Sequence, residues 1–394
     1  MNYRILSLDG GGTWALIQLK ALIALYGENT PGQTVVADFD LVAANSGGSI
    51  VLGGLVEDLK LGEILAFFQD QTKRQSVFSP THSFGDRVLH DLTGLGPKYS
   101  AENKLSALQD VLPAKGTLSL DRAAAGVRRA GSNDDVHLLI VGFDYDRNRA
   151  TFFRSSPASG SAWGTGETSP VTLAEAIHAS TNAPVNYFDA PATFPDRPDR
   201  YWDGAISGCN NPVLAAVTEA IVKSQNPTNI AVLSIGTASV ALPWPRPGQP
   251  SSPYVQQIGD PGFVADLRKL ATSILDDPPD IATFLAHVMT GGVVLNRPPA
   301  DSRIIRMNPL ISPVKKAGAW SAPGSMSAAQ FTYLARLDMD AVEQPQVDAI
   351  SKYADLWVQG VAPNQPIRMN GDTLDPELGQ TTFQNAVAAW NALK

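Results

Sequence analysis

The chain opens with a short apolar run, Tyr3 to Leu8, that stops abruptly at Asp9-Gly10-Gly11-Gly12-Thr13. The next segment, Trp14 to Leu25, holds helix-forming residues with no breaker before Gly27, so the first unit reads as strand, glycine loop, helix. The pattern repeats: Phe39 to Asn45 predicts a second core strand, and a helix is expected from Ser46 towards Leu59. Leu61 to Thr72 predicts a helix with Ile64, Leu65, Phe67 and Phe68 on its apolar face. Val136 to Tyr145 is the clearest strand, with Asp146-Arg147-Asn148 as a turn and Ala150 to Phe153 as its hairpin partner. Leu173 to Thr181 reads as a helix stopped by Pro184, Tyr201 to Asp203 as a short strand, and Val213 to Val222 as a helix begun by Pro212. Ile230 to Thr237 is a last buried strand. Lys73 to Ser100 and Ser155 to Ser169 lack periodicity; the first is either a lid or a connection, the second a surface loop.

Beyond Val240 and the run Pro243-Trp244-Pro245-Arg246-Pro247 the pattern changes to helices: Leu267–Leu275, Ile281–Met289, Ala328–Leu337, Val347–Gln359 and Phe383–Leu393. The expected division is therefore an α/β domain over 1–240 and a mainly helical extension over 241–394 packed on it.

Composition narrows the classes. With 394 residues, 44% hydrophobic and 17% charged, the chain can bury a large core. A net charge of −8 argues against a general nucleic-acid binder, and an anionic membrane surface would be approached without long-range attraction. The single cysteine, Cys209, excludes an intrachain disulfide and a Cys-based zinc cluster, and reads as a buried thiol. The start of the chain carries no secretory-signal pattern, and apolar runs are interrupted well before the roughly 20 residues a membrane span needs. A soluble, cytoplasmic protein without metal or cofactor is the expectation.

Two stretches carry chemistry. In the loop Gly10-Gly11-Gly12, main-chain N–H groups can face an open space at a helix start, which suits a negatively charged oxygen. Asp9 to Thr13 resembles the first phosphate loop of actin-like sugar kinases; there a β-hairpin follows, whereas residues 14 to 25 look helical. The other reading is an oxyanion hole. Ala44-Asn45-Ser46-Gly47-Gly48 matches the nucleophile-elbow pattern G-x-S-x-G, with alanine for the first glycine. Taken alone, Ser46 could be a helix cap and Asp203-Gly204 a turn. His137 reads as structural, and His178 is the histidine to examine for a triad.

In that chain order, the glycine loop, the Ser46 elbow, and Asp203-Gly204-Ala205 with Asn210-Asn211-Pro212 resemble the patatin-like phospholipases over roughly residues 3 to 240. The resemblance implies a three-layer α/β/α fold with a mostly parallel sheet. It also implies a lipid acyl hydrolase with a Ser-Asp dyad and no catalytic histidine. Ser46 would be the nucleophile, Asp203 its base, and Gly10, Gly11 and Gly12 the oxyanion donors. The substrate would be a lipid or acyl ester, met in peripheral contact with a membrane. One departure stands out: the family usually has an arginine shortly after the loop, where this chain has Trp14 and Ala15. The alternatives are an ATP-dependent sugar kinase and a family member that binds lipid without cleaving it.

Overall fold

The apolar runs of the sequence form one central sheet with helices on both faces. The computed structural model describes residues 2–77, 104–155, 171–184, 188–195, 197–223, 225–245, 248, 252–257, 259, 279–292, 302–316, 318–338 and 341–394. Eight strands make the sheet: β1 (Tyr3–Leu8), β2 (Leu41–Ala44), β3 (His137–Asp144), β4 (Arg149–Arg154), β5 (Ala192–Phe194), β6 (Arg197–Asp203), β7 (Ile230–Ile235) and β8 (Ile304–Met307). Their spatial order is β5-β6-β3-β2-β1-β7-β8, with β4 also paired to β3. Strands β3, β2, β1, β7 and β8 run parallel, while β4 and β6 run antiparallel to β3.

The central strands are buried on both sides, as continuous apolar runs in a parallel sheet require. Leu6, Leu8, Val42 and Ala44 face one core, shared with helices α1 (Leu16–Tyr26), α2 (Gly47–Val56), α3 (Leu61–Gln69), α4 (Lys104–Val111) and α5 (Leu173–Ser180). Ile5, Leu41 and Ala43 face the other, against α6 (Val213–Val222) and the helical residues 279–289. The three layers follow directly from the period of two in the strands.

The sheet does not end at residue 240. β8 pairs with β7 in register Val232 to Ile304 through Ile235 to Met307, so the later segment supplies an edge strand as well as helices. Helices α7 (Gln344–Val358) and α8 (Phe383–Leu393) belong to the first core, where Trp390 stacks on Phe39 with ring centroids 5.8 Å apart. Truncating so large a buried ring costs about 3–5 kcal/mol. Phe39, expected at the start of the second strand, instead precedes it and supplies that contact.

Other boundaries shift for local reasons. Ser46 is the cap residue before α2 and not its first member, because its backbone is not helical. The strand expected at Tyr201 begins at Arg197, since its outer half pairs only with β5. Helical structure continues past Lys73 as Gln71–Val77; the remainder of the segment read as a lid or a connection, the loop after Ser155, and Leu267–Leu275 lie outside the described residues. Among the described residues, no helix is long and apolar enough to cross a membrane.

Candidate active site

The pairing of β3 explains why residues far apart in sequence meet. β4 lies along one side of β3 from Leu139 to Asp144. The opposite side is shared in succession: β2 occupies it up to Ala44 opposite Ile140, and β6 takes over with Asp203 opposite Gly142. Because β6 runs antiparallel to β3, the C-terminal ends of β2 and β6 point at each other. Asn45 and Ser46 leave one end and Asp203 closes the other.

At that junction Ser46 has φ 48° and ψ −124°, a conformation in which few side-chain-bearing residues are found. The strain is held from several sides. The Ser46 N–H donates to the Ser180 hydroxyl at 2.9 Å, and the Ser49 hydroxyl donates to the Ser46 carbonyl at 2.6 Å. Small residues then become obligatory: a Cβ on Gly47 would lie 2.5 Å from the Gly12 carbonyl, and one on Gly48 2.5 Å from that of Leu8. The first turn of α2 is thus pressed directly against the end of β1 and the glycine loop. Ala44, where the elbow pattern has glycine, fits as a fully buried strand residue between Leu8 and Ile140.

Asp203 is buried, and the Ser46 side chain is among the groups that act on its carboxylate. Its Oδ1 also accepts from Asn45 Nδ2 at 3.0 Å and from the Ala205 N–H at 2.9 Å. Burial raises its pKa above the ordinary carboxylate value; the Ser46 side chain, the hydrogen bonds from Ala205 and Asn45, and the charge of Lys104 oppose the rise. Among the described residues its hydrogen-bond donors are neutral, so the carboxylate is positioned without being neutralised. His178 is buried in α5 and is not among the partners of Asp203; burial and the Lys104 charge hold it well below the ordinary imidazole value. His137, at the start of β3, pairs with Ser155 and Glu219, away from this junction.

The glycine loop crosses above the elbow. Gly12 has φ 53°, the left-handed conformation that favours glycine, and a short 3-10 turn, Gly12–Ala15, leads into α1. The segment after the loop is therefore helical, against the hairpin that a kinase phosphate loop would need. The Gly10 N–H already donates to the Asn210 carbonyl at 2.8 Å, while its carbonyl accepts from the Thr237 hydroxyl at 2.6 Å. Among the described residues, the amides of Gly11 and Gly12 donate no such backbone bond.

Asp9, at the head of the loop, turns the other way. Its Oδ2 accepts from Arg306 Nη2 at 2.6 Å, and Arg306 Nη1 donates to the Ser234 hydroxyl at 2.9 Å. Burial raises Asp9 to about 6 despite the opposing Arg306 charge. The pair borders a cavity of about 450 Å³ at the C-terminal ends of β1 and β7, bounded also by Trp14, Thr237 and Leu334. Sequence reasoning missed Asn45, Ser180, Lys104 and Arg306. Asn45 was signalled by its place beside the serine; the others carry no mark, because their partners are set by packing.

Among the described residues no group of three or more His, Cys, Asp or Glu side chains could hold a metal ion. A search of curated proteins finds no significant match. Among solved structures, the chain is similar to VipD from Legionella pneumophila, at 11% identity and a TM-score of 0.34, covering 90% of this chain and 67% of that one; so low a score adds nothing to the argument. The family model described as patatin-like phospholipase matches residues 6–217, more than half of the 394, and spans the glycine loop, the elbow and Asp203. The chain belongs to the patatin-like phospholipase family.

Proposed function

We propose that the protein is a serine acyl-ester hydrolase of lipid substrates that works through a Ser46–Asp203 dyad and an acyl-enzyme. The observation that carries this reading is the strained Ser46 set beneath the glycine loop, next to Asn45, whose side chain holds the buried Asp203 carboxylate at 3.0 Å. The Ser46 hydroxyl attacks the ester carbonyl while its proton passes to Asp203. Charge on the carbonyl oxygen is received by the amides of Gly11 and Gly12 and by the positive end of the helix that follows; Gly10, bound to Asn210, braces the loop. Asp203 returns the proton to the departing alcohol. It then takes a proton from water, which attacks the acyl-serine, and passes that proton to the Ser46 oxygen as the fatty acid leaves, regenerating both groups.

Burial gives the base its strength. An aspartate in water, near 3.9, is a weak base at neutral pH, and the raised value of Asp203 improves its match to a serine hydroxyl. The test is labelling by a fluorophosphonate together with hydrolysis of p-nitrophenyl esters and of a mixed lipid extract read by mass spectrometry. Labelling at Ser46, with loss of both activities in Ser46→Ala, is expected. Full activity in Ser46→Ala would refute the assignment, and absence of labelling and turnover would leave the lipid-binding alternative.

A further inference from the structure

Lys104 is buried on α4, where desolvation opposes a positive charge. Its ammonium is nevertheless placed with care. Nζ donates to Asn182 Oδ1 at 3.1 Å and stands 3.9 Å from the centre of the Phe188 ring. The Asn182 carbonyl in turn accepts the Asp203 N–H at 2.9 Å, and Asn182 Nδ2 donates to the Ala190 carbonyl at 2.6 Å. One asparagine therefore joins the lysine to the backbone of the catalytic strand.

We propose that Lys104 is a positioning residue for the dyad: its buried ammonium is the counter-charge that keeps the Asp203 carboxylate ionised next to Ser46, and Asn182 fixes the spacing between them. The proposal rests on the reading of Asp203 as the base. The charged and titratable neighbours are consistent with it. Asp203 is the carboxylate that favours the protonated amine, against a burial that pulls Lys104 well below the ordinary lysine value. His178, on the packed helix α5, is held low by the same burial and by Lys104 itself. Arg74, on the helix Gln71–Val77 that also packs on α4, is turned to the carbonyls of Phe68 and Val342 and to Gln344, and its charge is matched by Asp70, Asp348 and Glu343. Asp110 lies further along α4. Lys104 is thus linked to the Asp203 main chain through Asn182.

The experiment has two arms. In the first, the pH dependence of kcat/KM on a p-nitrophenyl ester is compared for the native protein, Lys104→Met and Lys104→Arg, with folding checked by circular dichroism. Removal of the charge should move the acid limb up by about one pH unit, a roughly tenfold loss of rate on the acid side, while Arg keeps the native limb. A merely structural lysine would lower the rate at every pH and leave the limb in place, which would overturn the proposal. In the second, the Lys104 Nζ is followed by 15N NMR in the native protein and in Asp203→Asn. Its titration should fall to lower pH when the carboxylate is gone; an unchanged titration overturns the proposal. This arm decides alone if Lys104→Met does not fold. It also decides if the native protein proves inactive, which would sink the proposed function and not the coupling.

Discussion

Two carboxylates, Asp203 and Asp9, are both fully enclosed and both raised by burial, yet they are wired in opposite ways. Asp9 is in direct contact with a guanidinium: Arg306 reaches it from β8, at 2.6 Å, and the pair is closed by Ser234. Among the described residues, Asp203 accepts its hydrogen bonds from neutral donors, Asn45 and the Ala205 N–H, and the Lys104 ammonium is bound to Asn182 instead. The first arrangement locks a charge in place; the second orients a carboxylate and leaves it able to take a proton. A buried ion pair is costly to assemble and more costly to break. A buried carboxylate with neutral donors is the arrangement expected of a base.

The largest expected effects test whether Asp203 is that base. Ser46→Ala and Asp203→Asn should each lower kcat by about a millionfold, since a nucleophile and its proton acceptor act as a unit and losing either costs about as much as losing both. Arg306→Met, which disturbs the other carboxylate, should change kcat/KM of the folded protein by less than tenfold. Equal losses at the two sites, measured on one ester, would erase the distinction. The pH profile adds a sign: the ionised Asp203 is the active form, so activity should fall as pH drops through a value above the ordinary 3.9, not at it.

The next effect in size sharpens the Asp9 half. In the native fold Asp9 lies at about 6, above its ordinary 3.8. A raised carboxyl contributes stability that is fully present below the ordinary value and lost as pH rises through about 6. Without the guanidinium the ionised form is left buried and alone, so Arg306→Met should cost about 3–5 kcal/mol at pH 8. Much of that should return at pH 5, where Asp9 takes up a proton. Urea denaturation at both pH values measures it, and a loss of equal size at pH 8 and pH 5 would assign the cost to packing instead.

The contrast also marks what could be read in the sequence. The loop, the elbow and Asp203-Gly204 were legible because each needs small residues or a chain reversal at a fixed spacing, as Gly47 and Gly48 against β1 illustrate. Helices with strong periodicity were equally legible: Val213–Val222 and Phe383–Leu393 fall where expected. The strand β8, by contrast, is four residues, Ile-Ile-Arg-Met, with a charge inside an apolar run. Its arginine argues against a buried strand until Asp9, 297 positions away, is seen to match it. Lys104 hides for the same reason: it looks like any helix-surface lysine until its contacts with Asn182 and Phe188 are known. The chemistry was local and legible, whereas the charges that tune it come from elements brought together by the sheet.

The smallest effect concerns the scaffold on the Asp203 side. Ser180 ends α5, and its hydroxyl accepts the Ser46 N–H at 2.9 Å while lying 3.4 Å from Asn45 Oδ1, to which it donates. One hydroxyl therefore ties the strained residue to the side chain that also holds Asp203. In Ser180→Ala the buried Ser46 N–H loses its acceptor, which should cost about 1–3 kcal/mol of stability by urea denaturation. Because the elbow is also clamped by Ser49 and by the packing of Gly47 and Gly48 on the glycine loop, Ser46 should keep its conformation, and kcat should fall far less than in Asp203→Asn. A collapse of kcat to the level of Asp203→Asn in the folded variant would mean that the strain is maintained by this one bond. The Asp203 site would then be less robustly built than the Asp9 pair, the reverse of what their packing implies.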